Sequence, residues 1–293
     1  LSALLDEGAG DLDTVAFSER AQLLGLRYGF RATKDSFAVS AQMLTENLEE
    51  SVALLRLALT EPRFDEEPLR RVRGQILSSI RSDESDPRSI AGRAFFASAF
   101  PEDPYGRPTE GTEASVSAIT VDDLREARAR LFNREGVDIG VVGDVSAERI
   151  GPLLDRLLGD LPAEPVEPLP ETAFTAPAGV SVEPFPAPQS TVTFGHAGPL
   201  RDAPDFMPLY VVNYILGGGG FSSRLTEEVR AKRGLAYSTY SYLLPFERAG
   251  VYLGGVATAN ARVAESIEVI RGEWRRMAEE GPTAEELEAA KRY

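Results

Sequence analysis

The sequence predicts an α+β protein built from two copies of one strand-helix-helix unit, and three observations predict it. Phe37, Val39, Ala41 and Met43 alternate with Ser36, Ala38, Ser40 and Gln42, which is the period of two that a half-buried strand imposes. Ser51 to Leu59 then carries Val52, Leu54, Leu55, Leu57 and Leu59, as an apolar helix should. The same pair returns as Tyr252 to Val256 and Ser266-Ile267-Glu268-Val269-Ile270-Arg271, each 215 residues after its counterpart. A fixed offset of this length implies a duplicated domain. The acidic helix starts that follow, Asp65-Glu66-Glu67 and Ala284-Glu285-Glu286, lie 219 apart, so a four-residue insertion separates the copies.

In chain order, Thr14 to Tyr28 sets Val15, Leu23, Leu24 and Leu26 among polar residues at helical spacing, with Gly29 as the stop. The strand, the helix ending before Pro62 and the acid-led helix after Phe64 follow, the acids sitting at the positive end of the helix dipole. Thr120 and Asp123 form an N-cap pair for a helix to about Phe132. Val137 to Val142 reads as a short buried strand closed by Gly143-Asp144, and Ala147 to Leu158 as a helix. Prolines at 162, 165, 168, 170, 177, 184, 186 and 188, with Glu164, Glu167 and Glu171, then predict a stiff solvated linker. The expected division is a first repeat at 1–162, a linker at 163–178 and a second repeat at 179–293, the first copy lacking its beginning and the second its end. In the second copy, Val180 to Val182 and Ser190 to Phe194 read as strands, Pro208 to Leu216 as a helix, Gly217 to Gly220 as a break and Ser222 to Lys232 as helix.

Composition narrows the chemistry. The 293 residues hold no cysteine and one histidine, so thiolate catalysis, Cys-based metal sites and any multi-histidine centre within this chain are excluded. A net charge of −15, from 31 basic and 46 acidic residues, argues against nucleic acid, which needs a concentrated positive face. No window approaches eighteen uninterrupted apolar residues, so no membrane span is expected.

Three places carry polar side chains of interest. His196 sits in Phe194-Gly195-His196-Ala197-Gly198 with no Ser or Asp spacing that suggests a triad, and its default reading is structural. Gly217-Gly218-Gly219-Gly220 before a helix invites a phosphate-loop reading, but no Gly-Lys-Ser/Thr follows and no strand immediately precedes it. A hinge allowing close backbone approach is the plainer alternative. Ser222 to Tyr237 gathers Arg224, Arg230, Lys232 and Arg233 in an otherwise acidic protein, and Gly234 turns the chain so that Tyr237 opens a strand. An arginine fork and a phenol hydroxyl at such a junction can both donate to a peptide carbonyl or carboxylate. The bland alternative is a solvated helix end whose cations are offset by Glu227 and Glu228.

The stretch Gly217-Gly218-Gly219-Gly220-Phe221-Ser222-Ser223-Arg224-Leu225 through Arg230 and Gly234-Leu235-Ala236-Tyr237-Ser238 resembles the C-terminal-half signature of the pitrilysin, insulinase and mitochondrial processing peptidase superfamily. Phe64-Asp65-Glu66-Glu67, Pro104-Tyr105-Gly106-Arg107-Pro108 and Gly143-Asp144-Val145 match further segments in the family's order. The resemblance implies tandem two-layer domains of the LuxS and processing-peptidase-like metallohydrolase type, each a mostly antiparallel sheet with helices on one face.

Catalytic members carry an inverted zinc motif, H-x-x-E-H, and a later glutamate ligand. The matching positions here are Ala3 and Glu7 for the histidines, Asp6 for the base and Ser79 for the later ligand. A methyl, a carboxylate and a hydroxyl do not replace two imidazoles and a carboxylate around zinc. The resemblance therefore implies a non-catalytic partner subunit with no cofactor of its own. It would form a heterodimer with a zinc-bearing subunit of the same family, and Arg230 and Tyr237 would hold the substrate peptide near the partner's zinc. The alternatives are a structural or assembly protein of the same fold and a hydrolase using His196. A bacterial periplasmic or cytoplasmic location is what the resemblance suggests.

Overall fold

The computed structural model describes residues 1–165 and 169–292. In chain order its elements are β1 (Gly8–Ala9), β2 (Leu12–Asp13), α1 (Thr14–Leu24), β3 (Arg27–Ala32), β4 (Phe37–Gln42), α2 (Leu48–Thr60), α3 (Glu66–Asp83) and α4 (Pro87–Ala99). After these come α5 (Glu113–Ala118), α6 (Val121–Leu131), α7 (Ala147–Leu158), β5 (Gln189–Gly198), α8 (Phe206–Asn213), β6 (Ala236–Pro245), β7 (Gly250–Ala259), α9 (Val263–Glu280) and α10 (Ala284–Lys291). The mixture of helices with small antiparallel sheets is the expected α+β class. Two compact units divide the chain: Leu1–Ile80 with Thr109–Pro168, and Arg81–Pro108 with Leu169–Tyr293. The linker residues Glu167 and Pro168, and Tyr293, lie outside the described residues.

In the first unit, α1 starts where the Asp13 carboxylate accepts from the Ala16 amide at 2.9 Å. It ends at Gly25, whose φ of 66° is the left-handed conformation that favours glycine at a helix C-terminus. The helix is thus four residues shorter than the expected Thr14 to Tyr28. Gly29, the expected stop, lies within β3, which pairs antiparallel with β4 from Arg27↔Gln42 to Ala32↔Phe37. Either glycine can end a helix, and strand pairing decided which one did. The Thr120 and Asp123 pair forms a full capping box at the start of α6. Leu4, Leu5, Leu59, Phe64, Leu69, Val72, Leu124, Phe132 and Leu161 build the main core of this unit.

Val137 to Val142 is not a strand. Val137, Ile139 and Val141 are half exposed and Val142 fully so, because no described strand lies beside them to complete a ladder. Val180 to Val182 is likewise irregular and exposed, for the same reason.

The second unit is built on a three-stranded antiparallel sheet in the order β5-β7-β6. Tyr252 and Val256 of β7 pack with Ile270 and Met277 of α9 and with Ile215, Leu216, Leu225 and Val229. Val251 and Leu253, which alternate with them, pack with Ala99, Phe100, Tyr105 and Phe246. The Pro104 to Pro108 segment therefore has a structural explanation. The Tyr105 ring stacks on Phe246 at 4.5 Å, its hydroxyl accepts from the Arg248 amide at 3.1 Å, and Asp103 pairs with the Arg248 guanidinium at 2.8 Å.

The 215-residue spacing reappears in the elements themselves. The turns Thr45–Asn47 and Asn260–Arg262, and the helix starts Leu48 and Val263, each lie 215 apart. In both places an antiparallel hairpin precedes the turn.

Candidate functional site

In the first unit the positions expected to match the zinc motif, Ala3 to Glu7, begin within the turn Ser2–Leu4, and Leu4 and Leu5 anchor them in the core. Ala3 is exposed and presents only a methyl. Asp6 is partly buried beside Glu7 and near the Tyr28 phenol. Burial pushes the Asp6 carboxyl above the usual carboxylate range, and backbone hydrogen bonding only partly opposes this. Burial, with the Asp6 and Glu7 charges and the Asp6 hydrogen bond, holds the Tyr28 phenol protonated up to about 12. Glu7 is ion-paired with Arg71 of α3. Ser79 is exposed on the same helix, eight residues or about 12 Å of helix rise beyond Arg71.

These groups do not fit a zinc ion. A zinc site needs several lone pairs converging on one point, whereas here the Glu7 carboxylate is engaged by a guanidinium that already supplies positive charge. Among the described residues no group of three or more His, Cys, Asp or Glu is arranged to hold a metal. His196 is in the second unit and both its nitrogens are occupied. Nδ1 lies 2.7 Å from the Ala197 carbonyl, which assigns the proton to it, and Nε2 accepts from the Trp274 indole at 3.2 Å. Its role is to join β5 to α9.

In the second unit, Gly217 to Gly220 ends α8 through a wide π-helical turn, Tyr214–Gly218. A side chain at Gly217 would meet the Ser241 amide nitrogen at 2.8 Å, so glycine there allows the turn to lie against β6. Gly220 takes φ 58° and reverses the chain. The close-approach reading of the glycine run therefore accounts for it. Ser223 then accepts from the Thr226 amide at 3.4 Å and starts a second π-helical turn, Thr226–Ala231. Beneath this turn Arg224, 8% exposed, donates through Nε and Nη2 to both oxygens of Glu286 at 2.7 Å, and through Nη2 to the Gly281 carbonyl at 3.0 Å. That fork holds the Glu286 carboxyl down to about 2. Lys232 and Arg233 both bond to Glu228, and these hydrogen bonds, aided by their charges, hold its carboxyl below the usual carboxylate range.

Arg230 is the cation of this segment that has no carboxylate. Its guanidinium carbon lies over two rings, 4.6 Å from the Tyr237 centroid and 4.9 Å from that of Phe221. Both rings are exposed, at 82% and 80%. Both contacts are cation–π contacts, and no described residue accepts a hydrogen bond from the Arg230 N–H donors. Arg230 and Tyr237, seven apart in sequence, are thus in contact. Phe221 is the member that sequence reasoning missed. It lies in the glycine-rich loop, but an apolar residue there gives no sign that its ring will stand in solvent against a cation.

The profile of the peptidase M16 inactive domain matches residues 118–293, more than half of the chain. The chain belongs to this family. A Helicobacter pylori protein called "Non-peptidase homolog YmxG" is 26% identical over 99% of this chain and 67% of its own length. An "uncharacterized zinc protease" of Mycobacterium leprae is 30% identical over 88% of this chain and 59% of its own length. A crystal structure of a peptidase M16 inactive domain from Pseudomonas fluorescens has a TM-score of 0.95 at 28% identity, over 99% of this chain and 71% of that one. The periplasmic protease PqqL of Escherichia coli shares the fold, with a TM-score of 0.78 at 18% identity over 99% of this chain and 32% of its own. This chain spans about three fifths to two thirds of the curated relatives it matches. It is a family member without the zinc motif, and no described helix is long and apolar enough to cross a membrane.

Proposed function

We propose that this chain is the metal-free, substrate-binding subunit of a heteromeric zinc endopeptidase, paired with a zinc-bearing subunit of the same family. In this reading residues 1–162 and 179–293 are duplicated repeats joined at 163–178, and the first has lost its metal chemistry. Arg230 and Tyr237 hold the peptide near the zinc of the partner, where the metal supplies an activated water. Arg230 donates to a main-chain carbonyl of the substrate. The Tyr237 hydroxyl orients the same group, or stabilises the oxyanion that forms on it.

One observation carries this reading: the Arg230 donors are unengaged while Arg224, Lys232 and Arg233 around it are all bonded to carboxylates. A cation serving only stability would be expected to share their arrangement. The test is co-expression with the neighbouring zinc-motif subunit, followed by metal analysis and peptide cleavage. The chain alone should hold no stoichiometric zinc and cleave nothing, whereas the pair should cleave, with Arg230→Ala depressing the rate at least tenfold. If Arg230→Ala and Tyr237→Phe leave the reconstituted activity untouched, the assignment fails and a structural or assembly role takes its place.

A further inference from the structure

α9 lays one face against the turn that presents Arg230. Its buried residues are Ser266, Ile270, Glu273 and Met277, spaced three and four apart as one side of a helix. Ile270 and Met277 pack there with Leu225, Val229 and Leu235. Glu273 is the charged residue of that row, and it is 7% exposed.

Its bonding differs from that of the carboxylates around it. Glu286 and Glu228 have both oxygens engaged by cations. The Glu273 Oε2 lies 2.8 Å from Arg276 Nη2 but out of line for a hydrogen bond, and it is buried with no hydrogen-bond partner among the described residues. Arg276 is three residues on along the same helix and largely in solvent, so water screens its charge. Across the packing boundary, the charges that face Glu273 are those of Glu228 and Arg233 on the turn segment and of Arg224 before it. The Asn260–Arg262 turn brings Arg262, which is paired with Glu265. β7 and the Tyr214–Gly218 turn bring the phenols of Tyr252 and Tyr214 but no charged side chain. Burial raises the Glu273 carboxyl above its ordinary value of 4.5, and the Glu228 carboxylate adds to this, while the guanidiniums of Arg276, Arg224 and Arg233 only partly oppose it.

We propose that Glu273 is a proton switch: protonating it removes a buried like charge from opposite Glu228, tightens the Thr226–Ala231 turn on α9, and strengthens peptide binding at Arg230 in mild acid. The link to binding rests on the peptide-binding reading of Arg230. Because the folded state holds this proton at a higher pH than the unfolded chain does, the stabilisation is fully present below 4.5 and is lost as pH rises through the raised value.

The test follows amide hydrogen exchange of residues 226–231 in the full chain at about pH 7.5 and about pH 5, each referred to the unstructured rate at that pH. The affinity of an acetylated and amidated eight-residue peptide of Ala, Ser and Val is measured in parallel. On acidification the wild type should exchange at least about threefold more slowly and bind peptide at least about threefold more tightly. Glu273→Gln carries a neutral carboxamide of the same size and should hold the acid values at both pH settings, which separates the effect from titration of the single histidine, His196. A wild-type turn whose protection does not change, or a Glu273→Gln chain that keeps the wild-type response, overturns the proposal. Where Glu273→Gln does not fold, NMR titration of the wild-type Glu273 carboxyl decides: an inflection above 4.5 supports the switch, and one at or below 4.5 overturns it. Arg230-dependent binding of equal strength at both pH settings overturns the link to binding and leaves the Arg230 reading standing. No binding at either pH removes the Arg230 reading and the link with it.

Discussion

Two polar clusters, one in each unit, show opposite uses of the same side-chain types. Around residues 3 to 7 the charges are partly buried or paired: Asp6 lies near the Tyr28 phenol, Glu7 pairs with Arg71, and the exposed member is a methyl. Around residues 221 to 237 the arrangement is layered, with a lower tier of arginine and lysine closed onto Glu286 and Glu228, and an upper tier of Arg230, Phe221 and Tyr237 left facing solvent. The difference teaches where to look for binding in a chain that has lost its metal ligands. Satisfied groups hold a fold together. A cation lying over two rings with no carboxylate partner is the group to which the proposed function gives the ligand.

The comparison can be broken at four points. The largest effect is expected beneath the second cluster: Glu286→Ala leaves the buried Arg224 guanidinium without its carboxylate and should cost about 3 kcal/mol, read from urea unfolding. The same pair predicts an acid dependence. Because the Glu286 carboxyl is held down to about 2 when folded, its contribution is present above the ordinary value of 4.5 and is lost as pH falls through about 2. An unfolding midpoint equally sensitive to acid in wild type and Glu286→Gln would contradict it.

Next in size, Arg230→Ala should weaken peptide affinity at least tenfold, about 1.4 kcal/mol, while shifting stability by no more than about 0.5 kcal/mol. A large fall in melting temperature would move Arg230 into the structural tier. Glu7→Ala should do the reverse, lowering the melting temperature less than Glu286→Ala does and leaving peptide affinity unchanged. Tyr237→Phe is the smallest change, since the ring over Arg230 persists and only the hydroxyl goes. About threefold weaker binding is expected, within the worth of one neutral hydrogen bond, and calorimetric titration resolves it.

Much of the fold was legible because it is local. The alternation at 37 to 42, the apolar run of α2, the Thr120 capping box and the 215-residue echo are each written in consecutive residues and reappear as elements. Where the reading failed, a partner was missing from the argument. Val137 to Val142 has the apolarity of a buried strand and no described strand beside it, and α1 stops at Gly25 because β3 needs the following residues.

For the site, residue identities alone establish that the chain has no second histidine for a two-imidazole zinc motif, and that an arginine and a tyrosine flank a helix-ending glycine. Residue identity suffices for such statements, since a methyl has no lone pair in any conformation. It took the three-dimensional structure to establish that Arg71 pairs with Glu7, that Phe221 lies against Arg230, and that among the described strands β6 pairs with β7 alone. Those facts concern which groups meet across long stretches of chain and which meet nothing. Packing sets that, because a cation is engaged or free according to what lies within about 4 Å of it, whatever its neighbours in sequence are.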